Sequence, residues 1–311
     1  MHKLQFLSLS MAAVSCALAS GLFFPTEGFA KVRICQELEQ NYEQIRSSAD
    51  TLQINAALGA AADKGCLGLA RRLLDDGASL AARDREGATP LSRAAKSRHT
   101  DVVELFLIRG ASIDARDLDG STALFVASEQ DSLPVVQSLI AHGSDVNLPG
   151  RSGLTPIESA AYMGNESIVR LLLDKGADPN NTDATGKSPI CYAVGRGYTK
   201  VARVLLDHSV NVNARYGNDL TALMWAAGHE DGAGSSDVAD VIELLIARGA
   251  RLNDQDNRGR TALMIAAALG HEKAVDVLLA HGADRTIRDR QQKTAADLAS
   301  TDELRQKLAA T

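Results

Sequence analysis

His229, Glu230, Asp231 and Asp237 fall within ten residues, the densest grouping of imidazole and carboxylate in the chain. Such groups at short spacing hold divalent cations or act as acid and base. The spacing matches no calcium loop, in which oxygen ligands alternate along twelve residues up to a closing glutamate. Gly232-Ala233-Gly234 lies in the same stretch, but a dinucleotide loop needs a third glycine and a preceding strand. Elsewhere no nucleophile is paired with a base in a known pattern. No catalytic residue, metal ligand or cofactor is therefore assigned. Gly and Ser make this stretch a flexible exposed loop. It stands as a solvated insertion, a contact for a partner, a weak cation site, or the one place where an enzyme could hide its chemistry.

The other histidines carry a pattern. His142, His208 and His281 share one recurring position with Arg109, Lys175 and Arg248. A cation there suits the C-terminal end of a helix. Equivalent residues on helices stacked about 8–10 Å apart cannot share one metal ion two repeats away.

That recurrence belongs to a larger one. Thr89-Pro90-Leu91, Thr155-Pro156-Ile157 and Ser188-Pro189-Ile190 are the clearest copies of a short motif. Looser copies begin at Ala56, Thr122, Thr221, Thr261 and Thr294. Each step is 33 residues except one of 40, which contains the loop just described. A fixed period of this size marks a stacked repeat. Within a unit, Thr or Ser caps a first helix and Pro fits its first turn. Small pairs such as Ala94-Ala95 and Ala160-Ala161 follow, allowing close helix approach. A second helix carries apolar residues on one face, as in Val102, Val103, Phe106 and Leu107 or Ile168, Val169, Leu172 and Leu173. Gly77, Gly110, Gly143, Gly176, Gly249 and Gly282 then close it in a left-handed cap.

These residues resemble the ankyrin-repeat family from about Asn55 to the C-terminus. The resemblance implies an all-α solenoid of stacked helix pairs with projecting β-hairpin fingers, about seven full repeats and a C-terminal half repeat. It also implies protein binding through a concave face. Three positions depart from the pattern. Ser209 replaces the closing Gly, and Gly150 and Tyr216 replace the finger Asp seen at Asp84, Asp117, Asp183, Asp256 and Asp289. The fingers of repeats four and six are expected to be irregular. Solenoid ends need polar caps. Ile34, Leu38, Tyr42 and Ile45 make an apolar stripe on an otherwise polar N-terminal helix, and the stretch after Thr294 is unusually polar.

The N-terminal thirty residues are of another kind. His2 and Lys3 precede an uncharged run from Leu4 to Thr26, and Gly28-Phe29-Ala30 puts small residues before Lys31. This is the layout of a secretory signal peptide cut after Ala30. An uncleaved anchor and a lipoprotein cut before Cys16 are the alternatives. The expected organisation is a signal peptide at 1–30, a capping helix at 31–54, repeats at 55–292 with an inserted loop near 230–237, and a capping half repeat at 293–311. After cleavage the net charge remains −6, which gives no basic surface for nucleic acid, and no stable membrane span is expected. Three cysteines remain: Cys35, Cys66 and Cys191. Either Cys35 pairs with Cys66 in an oxidising compartment, or all three are buried thiols.

The expected function is a binding module or scaffold outside the cytoplasm, periplasmic or secreted, with an exported effector acting on a host protein as the alternative. Carried over from the family's binding positions, the contact residues are Leu118, Arg151, Leu154, Arg215 and Leu220 on the fingers. At the helix ends they are Tyr162, Met163, Arg196 and His229. Trp225, the single tryptophan, belongs either to this surface or to packing between repeats. Such a mixture suits an interface core with a charged edge.

Overall fold

The computed structural model describes residues 26–228 and 235–309. The inserted loop's His229, Glu230 and Asp231 and most of the leader lie outside them. Among the described residues the chain is helical, with no β-strand. A first helix, α1 (Thr26–Ile45), precedes helix pairs that follow the motif. They are α2 (Thr51–Lys64) with α3 (Leu67–Asp75), α4 (Pro90–Lys96) with α5 (Thr100–Ile108), and α6 (Ala123–Glu129) with α7 (Leu133–Ala141). Then come α8 (Pro156–Met163) with α9 (Glu166–Asp174), α10 (Pro189–Gly195) with α11 (Thr199–Asp207), and α12 (Ala222–Ala227) with α13 (Ser235–Ala247). The last are α14 (Ala262–Leu269) with α15 (Glu272–Ala280), and a short pair, α16 (Ala295–Leu298) with α17 (Asp302–Ala309). First helices stack on first helices and second on second, in chain order.

The motif explains the stacking. Its third residue points into the core in the first seven copies: Leu58, Leu91, Leu124, Ile157, Ile190, Leu223 and Leu263 are all buried, and Ala296 of the last copy is partly buried. The alanine pairs behind it are buried too, so the inner helices meet over small side chains. Thr89, Thr122, Thr221, Thr261 and Thr294 each accept the backbone N–H three residues on, ending the chain's extended approach and starting the helix. The closing glycines sit at φ of 84–97°, as a left-handed cap requires. Ser209 takes the same region at φ 65° although it has a Cβ.

Among the described residues the fingers hold no extended strand pair; each is closed by a single backbone bond, as from Asp84 N to Ala88 O, and Tyr216 and Leu220 form an isolated antiparallel bridge. Each finger Asp also closes its own loop through its side chain, accepting the N–H groups two and four residues on, as Asp84 does from Glu86 and Ala88 and Asp256 from Arg258 and Arg260. The carboxylate thereby satisfies backbone donors that the tight turn leaves without a carbonyl partner. Single backbone bonds join successive fingers, such as Leu118 N to Glu86 O and Arg290 N to Arg258 O. At Gly150 and Tyr216, where that Asp is missing, the loop folds into a 3-10 turn, Arg151–Gly153 and Gly217–Asp219.

The first helix covers the open end with Cys35, Leu38 and Tyr42, not with the full stripe read from the sequence. Ile34 and Ile45 are each 37% exposed, because a disulfide from Cys35 to Cys66 sets which face of α1 turns inward. The alternative of three free thiols is thereby corrected: among the described residues Cys191 alone is free, and it is buried. Tyr42 donates to Asp76 at 2.8 Å, and Arg46 pairs with the same carboxylate at 2.8 Å. No helix among the described residues is long and apolar enough to cross a membrane.

Candidate protein-binding face

The fingers and the C-terminal ends of the inner helices share one face. Along α4 and α6 this face forms a groove of about 980 Å³ lined by Asp63, Asp84, Arg93, Glu129 and Arg151 among others. Its charges are largely spent on each other. Arg93 pairs with Asp63 and with Asp84, and Arg151 pairs with Glu129.

Further along the stack the composition changes to aromatic and cationic. Tyr162 and Met163 end α8 and are 40% and 44% exposed. The Arg196 guanidinium, just past α10, lies 4.4 Å from the centre of the Tyr162 ring and 5.8 Å from that of Tyr198. Tyr162 meets Tyr192 edge to face at 5.8 Å. The Lys187 ammonium lies 5.4 Å from the Tyr192 ring centre and 5.1 Å from that of Trp225. Four aromatic rings and two cations from successive units thus form one continuous cluster.

The cluster rests on a buried polar floor. Tyr192 donates its hydroxyl to Asp183. Burial pushes the Asp183 carboxyl up, but donors from Tyr192, Thr185 and Lys187 outweigh it and hold the group below its ordinary value. Burial, and then donation to a carboxylate, push the Tyr192 hydroxyl well above its usual range. Glu158, wholly buried in the first turn of α8, accepts from the Thr155 N–H at 2.6 Å and its hydroxyl at 2.8 Å. Asn181 donates to the same oxygen at 3.3 Å. Burial raises the Glu158 carboxyl despite these bonds. The Tyr192 ring is thereby fixed in place from below.

Of the residues read from the sequence, the structure links Tyr162 and Arg196 directly and Trp225 through Tyr192 and Lys187. Met163 lies beside Tyr162. Leu118 is exposed and stands over Gly87 of the preceding finger. Leu154 and Leu220 are half-buried, and Leu220 packs on the core. Arg215 is a brace: its Nη1 donates to Asp219 O at 3.1 Å and to Gln255 O of the next finger at 2.8 Å. Arg83 and Arg116 make the same pair of bonds on their own fingers. Trp225 is half-buried against the core as well as ringed by Lys187. His229 lies outside the described residues.

Two members of the cluster were missed. Tyr192 occupies the inner-helix position of Trp225 one repeat earlier, and Lys187 occupies the finger position of Leu154 and Leu220. The repeat register alone was enough to find both. Two of the recurring histidines are local supports: His142 Nδ1 lies 2.8 Å from Ser138 O and His208 Nδ1 2.7 Å from Val204 O, each one helical turn back, whereas His281 Nε2 lies 2.8 Å from Glu243 of the preceding unit.

Four overlapping segments of the chain, 33–117, 106–183, 178–239 and 232–307, match the family model described as ankyrin repeats (3 copies). The chain belongs to the ankyrin-repeat family. Ankyrin repeats are in general protein–protein interaction modules. Among curated proteins, the chain is similar to the NAD-capped RNA hydrolase NUDT12 of Homo sapiens and of Macaca fascicularis, at 39% identity over 67 residues. That stretch is 22% of this chain and spans only 14% of the relative.

Proposed function

We propose that this ankyrin-repeat protein holds a partner protein against the face of fingers and inner-helix ends, and does so outside the cytoplasm. One observation carries the binding reading: the half-exposed cluster of Tyr162, Met163, Tyr192, Arg196 and Trp225 crosses three successive units. Aromatic rings with Arg and Met are the composition of interface hot spots, and a monomer gains little by displaying them. NUDT12's hydrolase activity is not carried over, since so small a part of that protein is matched.

The disulfide and the leader support the extracytoplasmic reading. A bond between Cys35 and Cys66 persists in an oxidising compartment, and the uncharged run ending at Gly28-Phe29-Ala30 is a route into one. The periplasm is the proposed location. Release from the cell to act on a host protein is the second reading, because the same leader serves both.

The test has two arms. Chemical cross-linking in the exported fraction, with parent, Tyr162→Ala and Arg196→Ala chains, should give a partner adduct that both substitutions abolish while the melting curve holds. Full adduct from both variants would move the interface elsewhere. N-terminal sequencing should find Lys31 first; an intact leader on cytoplasmic protein would sink the export reading.

A further inference from the structure

Among the described residues, the Lys187 charge is directed at rings. Among the described residues no carboxylate lies within 4 Å of its ammonium, and its contacts are the faces of Tyr192 and Trp225. The carboxylate nearest in the chain, Asp183, is already committed. It accepts from the Tyr192 and Thr185 hydroxyls and from the backbone of Thr185 and Lys187 itself. Other cations on this face are differently placed: Arg93 and Arg151 have acidic partners, and Arg215 is held by carbonyls and by Asp254. Ring faces attract an ammonium but do not saturate its three N–H donors. Lys187 is half-buried, so its hydration is already reduced.

We infer that the partner presents an acidic segment here, a Glu or Asp side chain pairing with the Lys187 ammonium while an adjacent apolar or aromatic side chain lies on Tyr162 and Met163. This rests on the binding face proposed above and adds the chemistry of what it binds. A carboxylate completes the donors that the rings leave open, and the rings around it exclude water, which strengthens the pair. A basic segment would set a like charge beside the Lys187 ammonium.

A display library of random decapeptides, selected on the full-length oxidised protein, tests the inference. Trp225, the single tryptophan, lies 5.1 Å from the Lys187 ammonium and reports occupancy by its emission. Selected peptides should carry Glu or Asp beside a large apolar residue, shift Trp225 emission and lose affinity as salt rises. Lys187→Met should weaken them about tenfold, the effect of losing one charge-assisted pair. Lys187→Arg should restore much of the affinity, and exposed Lys200→Gln on the outer helix should change nothing. Peptides that bind and need Tyr162 but carry no acid, or that bind Lys187→Met as well as the parent, overturn the acidic segment and leave the face standing. Selected peptides indifferent to Tyr162, Arg196 and Lys187 alike overturn the face itself.

Discussion

Cys35 of the capping helix and Cys66 of the first helix pair are joined, with Cα atoms 5.3 Å apart, across 31 positions of sequence. The bond fastens the end unit of a stack in which each helix pair otherwise touches only its neighbours. Closing a loop of this length lowers the entropy of the unfolded chain. Cys35→Ser with Cys66→Ser should cost about 2–4 kcal/mol in a urea melt. Hydrogen exchange should rise in α1 to α3 and leave α10 to α15 as they were. Uniform loss of protection along the chain would show that the stack melts as one unit.

Leu172 tests the outer helices. It is fully buried on α9, between the units on either side. Leu172→Ala should destabilise by about 2–5 kcal/mol, the range for a buried leucine truncated in a close-packed core. Chemical denaturation reads the effect, and an unchanged midpoint would place Leu172 outside the core.

Ser209 offers a gain. It holds φ 65° where the equivalent Gly176 holds 88°, and it is exposed. A side chain in the left-handed region costs about 1–2 kcal/mol relative to glycine, partly repaid by the greater freedom of unfolded glycine. Ser209→Gly should therefore stabilise by roughly 0.5–1 kcal/mol. A lower melting temperature would mean that the serine contributes a contact that the strain argument leaves out.

Cys191 is buried on α10, and burial pushes its thiol up to about 11. The folded state thus holds the proton more tightly than the unfolded chain, whose thiol titrates near 9. The resulting stability is fully present below pH 9 and is lost as pH rises from there toward 11. Cys191→Ala should flatten this part of the stability profile. At pH 8 a thiol reagent should label the native protein slowly and the unfolded protein fast. Rapid native labelling would contradict the burial.

The period of 33 residues, the Thr caps and the closing glycines determined the stack without any coordinates. These are local signals, in which each residue acts on its own helix or turn, and repetition multiplies them. The irregular fingers at Gly150 and Tyr216 were legible for the same reason, since one missing carboxylate leaves one loop without its closing acceptor. What a side chain does across units was decided only in three dimensions. Arg215 was expected on the contact surface, and only the fold shows that it also braces two fingers through two carbonyl acceptors, one of them forty residues away. Cys35 and Cys66 had two readings until helix packing brought them together. Lys187, Tyr192 and Trp225 share a face by their repeat positions, but only the approach of one unit to the next brings the ammonium within 5.4 Å and 5.1 Å of the two rings. Sequence spacing carries the period of the helices; the approach of one unit to the next decides which charges meet rings, which meet carboxylates and which remain open to a partner.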